Sequence, residues 1–203
     1  MWCINKGVDI INLSVGYKLP NARLRKVCIE AYKQGIILVA SAGNNCSGAS
    51  FPATYKEVIS VGAIDENKKH CTFSNIWPST DVSAPGQNIF SLKLKDKKYD
   101  QAYALYSGTS FAAPHITGAL ALAVSCLKKN KKKFEPKILK QILKETAHKP
   151  QQDTKELEKL IKEFGLDLMD QQIQPEEMLR YMYGAGTLNT TAFLKKVIQQ
   201  YNI

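Results

Sequence analysis

Ser110 is the residue of this chain best placed by its surroundings to do chemistry. It follows Gly108-Thr109 and opens an almost wholly apolar run, Phe111 to Leu127. Thr and Ser ahead of such a run mark a helix start. A serine there lies beside free backbone N–H groups and a partial positive charge, which stabilise an oxyanion formed next to it. Gly108 permits a tight turn and the close approach of a substrate backbone. These features suit a hydroxyl nucleophile attacking a carbonyl. On Gly-Thr-Ser alone they suit a plain helix cap as well, since Ser and Thr are favoured caps. Pro114 is expected in the first turn, where its absent N–H costs little.

The longer string Tyr106-Ser107-Gly108-Thr109-Ser110-Phe111-Ala112-Ala113-Pro114-His115 resembles the nucleophile motif of the subtilisin-like serine proteases. Further segments resemble that family in the same order. Gly35 to Asn44 reads as a buried strand and a turn, and it resembles the oxyanion-hole motif, which implies Asn44 as a donor. In subtilisin such a donor is worth about 3–4 kcal/mol. As residues alone, Asn44-Asn45 also suits an ordinary turn. Asp9 to Gly16 resembles the strand whose end takes up the substrate backbone as an added antiparallel strand, implying a role for Ser14, Val15 and Gly16. Phe51-Pro52-Ala53 resembles the base of the pocket for the P1 side chain, with Ser41, Ala42 and Gly43 as a wall. Gly108 and Thr109 complete the implied substrate-binding set. Asp81 to Gly86 matches a later family loop, and Tyr183 to Asn189 resembles the segment before the family's last helix. The resemblance covers the chain apart from roughly residues 149–178.

The rest of the family's triad has no counterpart here. The family orders its triad Asp, His, Ser, and no segment before Ser110 resembles its Asp-Thr-Gly or His-Gly-Thr motif. A serine hydroxyl is a weak nucleophile until a base accepts its proton. Of the three histidines, His115 follows Ser110 by five residues and so faces another side of a helix. His70 reads as part of a polar surface loop, and His148 as a helix C-terminus. Asp9 reads as an exposed loop-to-strand residue. Asp81 lies where some relatives carry a weak cation site, or else is a hydrogen-bonded turn residue. No other metal site and no cofactor are expected.

The elements around these residues imply an α/β fold. Apolar strands are expected near residues 8–15, 36–42 and 58–64, with a helix from Leu24 to Lys33 between the first two. A hairpin over 89–106 leads to Ser110. A helix follows Phe134-Glu135-Pro136 to about Ala147, and the last helix spans about Thr191 to Tyr201. Residues 149–178 read as a polar surface insertion with a helical stretch, Thr154 to Phe164. The resemblance implies the three-layer, mainly parallel subtilisin-like fold over residues 1–203, with the family's N-terminal strands absent. Ile10 to Leu13 is then expected at an open sheet edge.

The chain has 203 residues, a formal charge of +10 and five cysteines. The lysines at 128, 129 and 131–133 lack aromatic interleaving, so a solvated surface is expected there and no nucleic-acid partner. The odd cysteine count argues against a disulfide framework; Cys3, Cys28 and Cys126 read as small core residues. The first residues lack a signal-peptide pattern, and no membrane span is expected because Pro114-His115 interrupts the longest apolar run. A cytoplasmic protein is expected, or a secreted one if a leader precedes this sequence. Taken together, the expectation is the C-terminal part of a serine endopeptidase acting on polypeptides, inactive alone. The alternatives are a non-catalytic family member that binds polypeptide, and one half of a split protease whose Asp and His come from an N-terminal fragment.

Overall fold

The structure, a computed structural model, describes residues 1–46, 48–93, 102–150 and 174–203. Four parallel strands form the central sheet in the order β1 (Ile10–Leu13), β2 (Ile37–Ser41), β3 (Val58–Ile64) and β4 (Val82–Pro85). Every residue of β2 and β3 is buried. Strands covered on both faces need continuous apolar runs, and Ile37-Leu38-Val39-Ala40 supplies one. Its alternate side chains serve two cores. Ile37 and Val39 join one side, with helices α3 (Thr109–Lys129), α4 (Pro136–Glu145) and α6 (Thr190–Tyr201). Leu38 and Ala40 join the other, with Cys28 and Ala31 of α2 (Ala22–Lys33) and Ile4 of the short α1 (Trp2–Asn5). The expected three-layer α/β fold follows from that alternation.

Helix boundaries follow local chemistry. Asn21 caps α2, its side chain accepting the Leu24 N–H at 2.9 Å, and Asn189 caps α6 by accepting from Ala192 at 3.0 Å. Pro136 opens α4 at a position that needs no N–H donor. The expected hairpin forms as β5 (Ile89–Leu92) antiparallel to β6 (Tyr103–Tyr106).

Several expectations are corrected. Val82 to Pro85, matched in the sequence to a loop, is a strand paired in parallel with β3. Its four residues are too few to display a period, and pairing with β3 decides its conformation. Helix α5 (Pro175–Tyr183) lies partly inside the expected insertion, yet Met178 and Met182 are buried against Ile64 and Ile76. The stretch Thr154 to Phe164 lies outside the described residues. Helix α3 runs unbroken through Pro114 and His115, so it is long and apolar enough to cross a bilayer by length and composition. In this fold its Ala112, Ile116, Leu120 and Leu127 are instead buried on the sheet. Cys28 and Cys71 are buried, Cys3 and Cys126 half-buried, Cys46 exposed, and all five thiols are free.

His70 also departs from expectation. Glu66 to Lys69 are exposed as a surface loop should be, but the His70 ring is folded inward. It makes a T-shaped contact with the Tyr183 ring, the centroids 5.8 Å apart, and its Nε2 is shielded with no hydrogen-bond partner. Burial lowers its pKa to about 4. The imidazole is thus neutral in the folded chain over a range where the unfolded chain binds a proton. The sign follows: stability is level above pH 6.5, the unperturbed value, and falls as the pH drops toward 4. Unfolding temperatures of wild type and His70→Leu over that range should show the smaller decline in the variant.

Candidate active site

The site begins with a helix that does not cap itself. Gly108 holds the N-cap position of α3 and has no side chain to offer. Its φ of +152° lies in a region side chains rarely adopt, and a Cβ there would approach Asn44 Nδ2 at 3.3 Å. Asn44, just past β2, supplies the cap. Its Oδ1 accepts from the Thr109 N–H at 2.8 Å and from the Thr109 hydroxyl at 2.9 Å. Thr109 is fully buried, and its Oγ1 accepts the Gly43 N–H at 3.2 Å. Three hydrogen bonds therefore fasten the end of β2 to the start of α3. Both acceptor functions used at Asn44 fall on its oxygen, so Nδ2 has no partner among the described residues and stands beside Gly108.

Ser110 is not the cap. It is helical and half-buried, and its hydroxyl donates to the Ser14 carbonyl at 3.3 Å. The reverse bond has a backbone cause. Pro114 lies inside the helix, beyond the first turn where it was expected. Lacking an N–H, it leaves the Ser110 carbonyl without its helical donor. The Ser14 hydroxyl fills that place at 2.8 Å. Asn12 Nδ2 donates to Ser14 Oγ at 2.9 Å, and Thr117 Oγ1 donates to Asn12 Oδ1 at 2.9 Å. The polar residues at the end of β1 are thereby tied to one face of α3.

The other predicted residues fall around this junction. Val15 and Gly16 are exposed beyond Ser14. Gly16 has little room for a side chain, since a Cβ there would meet Ser50 Oγ at 2.3 Å. Tyr17 and Phe51 exchange backbone hydrogen bonds at 2.9 Å, which brings the segment after β1 next to Phe51-Pro52-Ala53. Ala53, Ser41 and Ala42 are buried. The sequence reading missed Asn75, which is 1% exposed. Its Oδ1 accepts the Asn45 N–H at 2.7 Å, its Nδ2 donates to the Gly48 carbonyl at 3.0 Å, and its N–H donates to the Gly43 carbonyl at 3.0 Å. It shapes the loop that presents Asn44, but a single Asn between two turns gives no signal in the sequence.

None of the three histidines stands at Ser110. His115 is exposed, and its Nδ1 lies 2.9 Å from the Phe111 carbonyl on its own helix. His70 is held by Tyr183, and His148 pairs its backbone with Thr187 at 2.8 Å. The two noted acids are engaged as well. Asp9 pairs with Lys128 at 2.6 Å. Asp81 is buried, accepts the Ser60 N–H at 3.0 Å, and is met by Lys140 at 2.7 Å and Lys144 at 3.3 Å. Two ammonium groups thus surround the carboxylate where the resemblance implied a weak cation. No group of three or more His, Cys, Asp or Glu suited to a metal occurs among the described residues.

A parallel sheet packed between helices, with Ser110 in the first turn of one of them, places the chain in the α/β class. Within that class the chain belongs to the subtilase family, whose profile matches residues 1–186. It is 38% identical over 129 residues to Subtilisin DY of Bacillus licheniformis, covering 61% of this chain and 45% of that protein. It is 36% identical over 153 residues to the Major intracellular serine protease of Bacillus subtilis (strain 168), covering 71% of this chain and 46% of the relative. The chain spans less than half the length of these relatives. Among solved structures it resembles the patellamide maturation protease PatA with a TM-score of 0.77 at 26% identity, over 98% of this chain and 66% of that one. The prenylagaramide maturation protease PagA gives 0.73 at 26% identity, over 97% and 64%.

The capping role of Asn44 is tested by mutation. Asn44→Ala removes the cap and should lower stability by about 1 kcal/mol. Asn44→Asp keeps both acceptor bonds to Thr109 and places a negative charge at a helix N-terminus, so its stability in denaturant should stay near wild type. Equal losses in the two variants would show that the cap does not depend on the side-chain oxygen.

Proposed function

We propose that this chain carries the nucleophile and oxyanion-binding half of a serine endopeptidase site, and that the base comes from another polypeptide segment. One observation carries the reading. The Ser110 hydroxyl sits at a helix start, two residues from the Gly108 that the partnerless Asn44 Nδ2 adjoins, whereas all three histidines of the chain sit elsewhere. In this reading Ser110 Oγ attacks the scissile carbonyl. The Asn44 amide and the first N–H groups of α3 stabilise the resulting oxyanion. Ser14 to Gly16 and Ser41 to Gly43 hold the substrate backbone on either side. Before attack, the Ser110 hydroxyl must leave the Ser14 carbonyl and donate to a base. The mechanism calls on no cofactor.

The surface around Ser110 supports a polypeptide complement. Strand β1 pairs with β2 on one side and has no strand on its other side among the described residues. Its side chains are half-buried or exposed, unlike those of a covered parallel strand. Beside it, α3 turns Pro114, His115, Gly118, Ala121 and Leu122 to solvent, Leu122 being 56% exposed. An open backbone edge next to an apolar helix stripe suits a strand and a helix from a second segment.

Purified chain with an unstructured protein substrate should show no turnover above background. Loss of triad function costs about 10⁶ in kcat in subtilisin. Adding a polypeptide that carries the family's Asp-Thr-Gly and His-Gly-Thr motifs should restore cleavage, and Ser110→Ala should abolish the restored activity. Cleavage by the chain alone that requires Ser110 would remove the need for a partner. Complex formation without cleavage would favour a non-catalytic, polypeptide-binding role.

A further inference from the structure

We propose that a pocket at the far end of the sheet from Ser110 binds a phosphate dianion, either as the free ion or as the head of a small monoester. The inference is independent of the peptidase reading. The pocket, of about 400 Å³, is lined by Thr80, Lys144, Lys149, Glu176, Leu179 and Arg180 among others. It adjoins Asp81, just before β4, whereas the other end of β4 leads to Gly86, where a Cβ would lie 3.0 Å from the Gly108 carbonyl.

Charge sets the ligand class. Asp81 is shared by Lys140 and Lys144. Lys149 donates one N–H to the Ala185 carbonyl at 3.1 Å and has no carboxylate partner among the described residues. Arg180 has no acid partner among them either, although Glu176 lies one helical turn away on α5. Among the described residues three cations, Lys144, Lys149 and Arg180, line the pocket with one carboxylate, Glu176, an excess of two positive charges that a dianion neutralises. The donors match a tetrahedral oxyanion. A planar guanidinium offers paired N–H groups, and an ammonium offers a point charge with rotating donors. Thr80 adds an independent sign. It is 5% exposed, lines the pocket, and its Oγ1 is shielded from solvent with no partner. A buried hydroxyl is normally hydrogen-bonded, and a change of the Thr80 χ1 rotamer would turn this one toward a phosphate oxygen in the pocket. The apolar wall of Leu179 and Pro150 leaves space for a small organic stem.

The test is thermal unfolding of the full chain at about pH 8 in inorganic phosphate, with sodium chloride at matched ionic strength as reference. Phosphate at a hundred times its dissociation constant should raise Tm by about 5 °C over chloride. Arg180→Ala and Lys149→Ala, both at exposed positions, should each weaken phosphate binding about tenfold. Glu176→Gln should tighten it by removing a repelling charge. Phenyl phosphate binding more tightly than phosphate would identify a monoester whose stem lies on Leu179; equal affinities would identify the free ion. A rise no larger in phosphate than in chloride would overturn the proposal. So would an undiminished rise in the Arg180→Ala, Lys149→Ala double variant.

Discussion

The attachment of Asn44 to Thr109 is the interaction on which the arrangement of the site depends. A helix leaves its first N–H groups unsatisfied, and Gly108 cannot satisfy them itself. The oxygen of Asn44 does so from the end of β2, and Thr109 returns a bond to the Gly43 N–H. The first turn of α3 is therefore fixed to the sheet by side chains that are themselves fixed. The nitrogen of the same Asn44 amide is left without a partner among the described residues, beside Gly108. One residue thus caps the helix and leaves a free donor at its start. A glycine at 108 is part of that arrangement, because a side chain there would crowd the amide.

Pro114 plays the corresponding part between α3 and β1. By removing one backbone donor it leaves the Ser110 carbonyl to Ser14, and the Ser110 hydroxyl returns the contact. The reciprocal pair positions the serine against the strand, and it also occupies the hydroxyl that catalysis would use. Under the proposed function the proton acceptor would enter with another segment, along the edge of β1 that has no strand beside it among the described residues.

Much of this was legible in the sequence, for physical reasons that differ by element. The buried run Ile37 to Ala40 can only be a strand covered on both faces, and the apolar length of Phe111 to Leu127 dictates a core helix. The string around Ser110 carried the family resemblance because motif residues there are contiguous. Strand β4 was missed because four residues cannot show a period, and its identity comes from pairing with β3. Asn75 was missed because its two side-chain bonds reach residues 27 and 30 positions away. His70 was misplaced because its shelter is Tyr183, 113 residues on. The grouping of Lys140 and Lys144 around Asp81 had no sign in the sequence, because it appears only when α4 is packed on the sheet.

Under the proposed function Ser110 is a nucleophile with no histidine at hand among the described residues. Its reactivity toward a fluorophosphonate measures this directly, since phosphonylation requires an activated hydroxyl. The modified residue and its rate are read by mass spectrometry of the folded and the denatured chain. The account predicts that Ser110 in the folded chain alone reacts no faster than serines of the denatured chain. Rapid, stoichiometric phosphonylation of Ser110 in the folded chain alone would contradict it, because a base would then already be at hand.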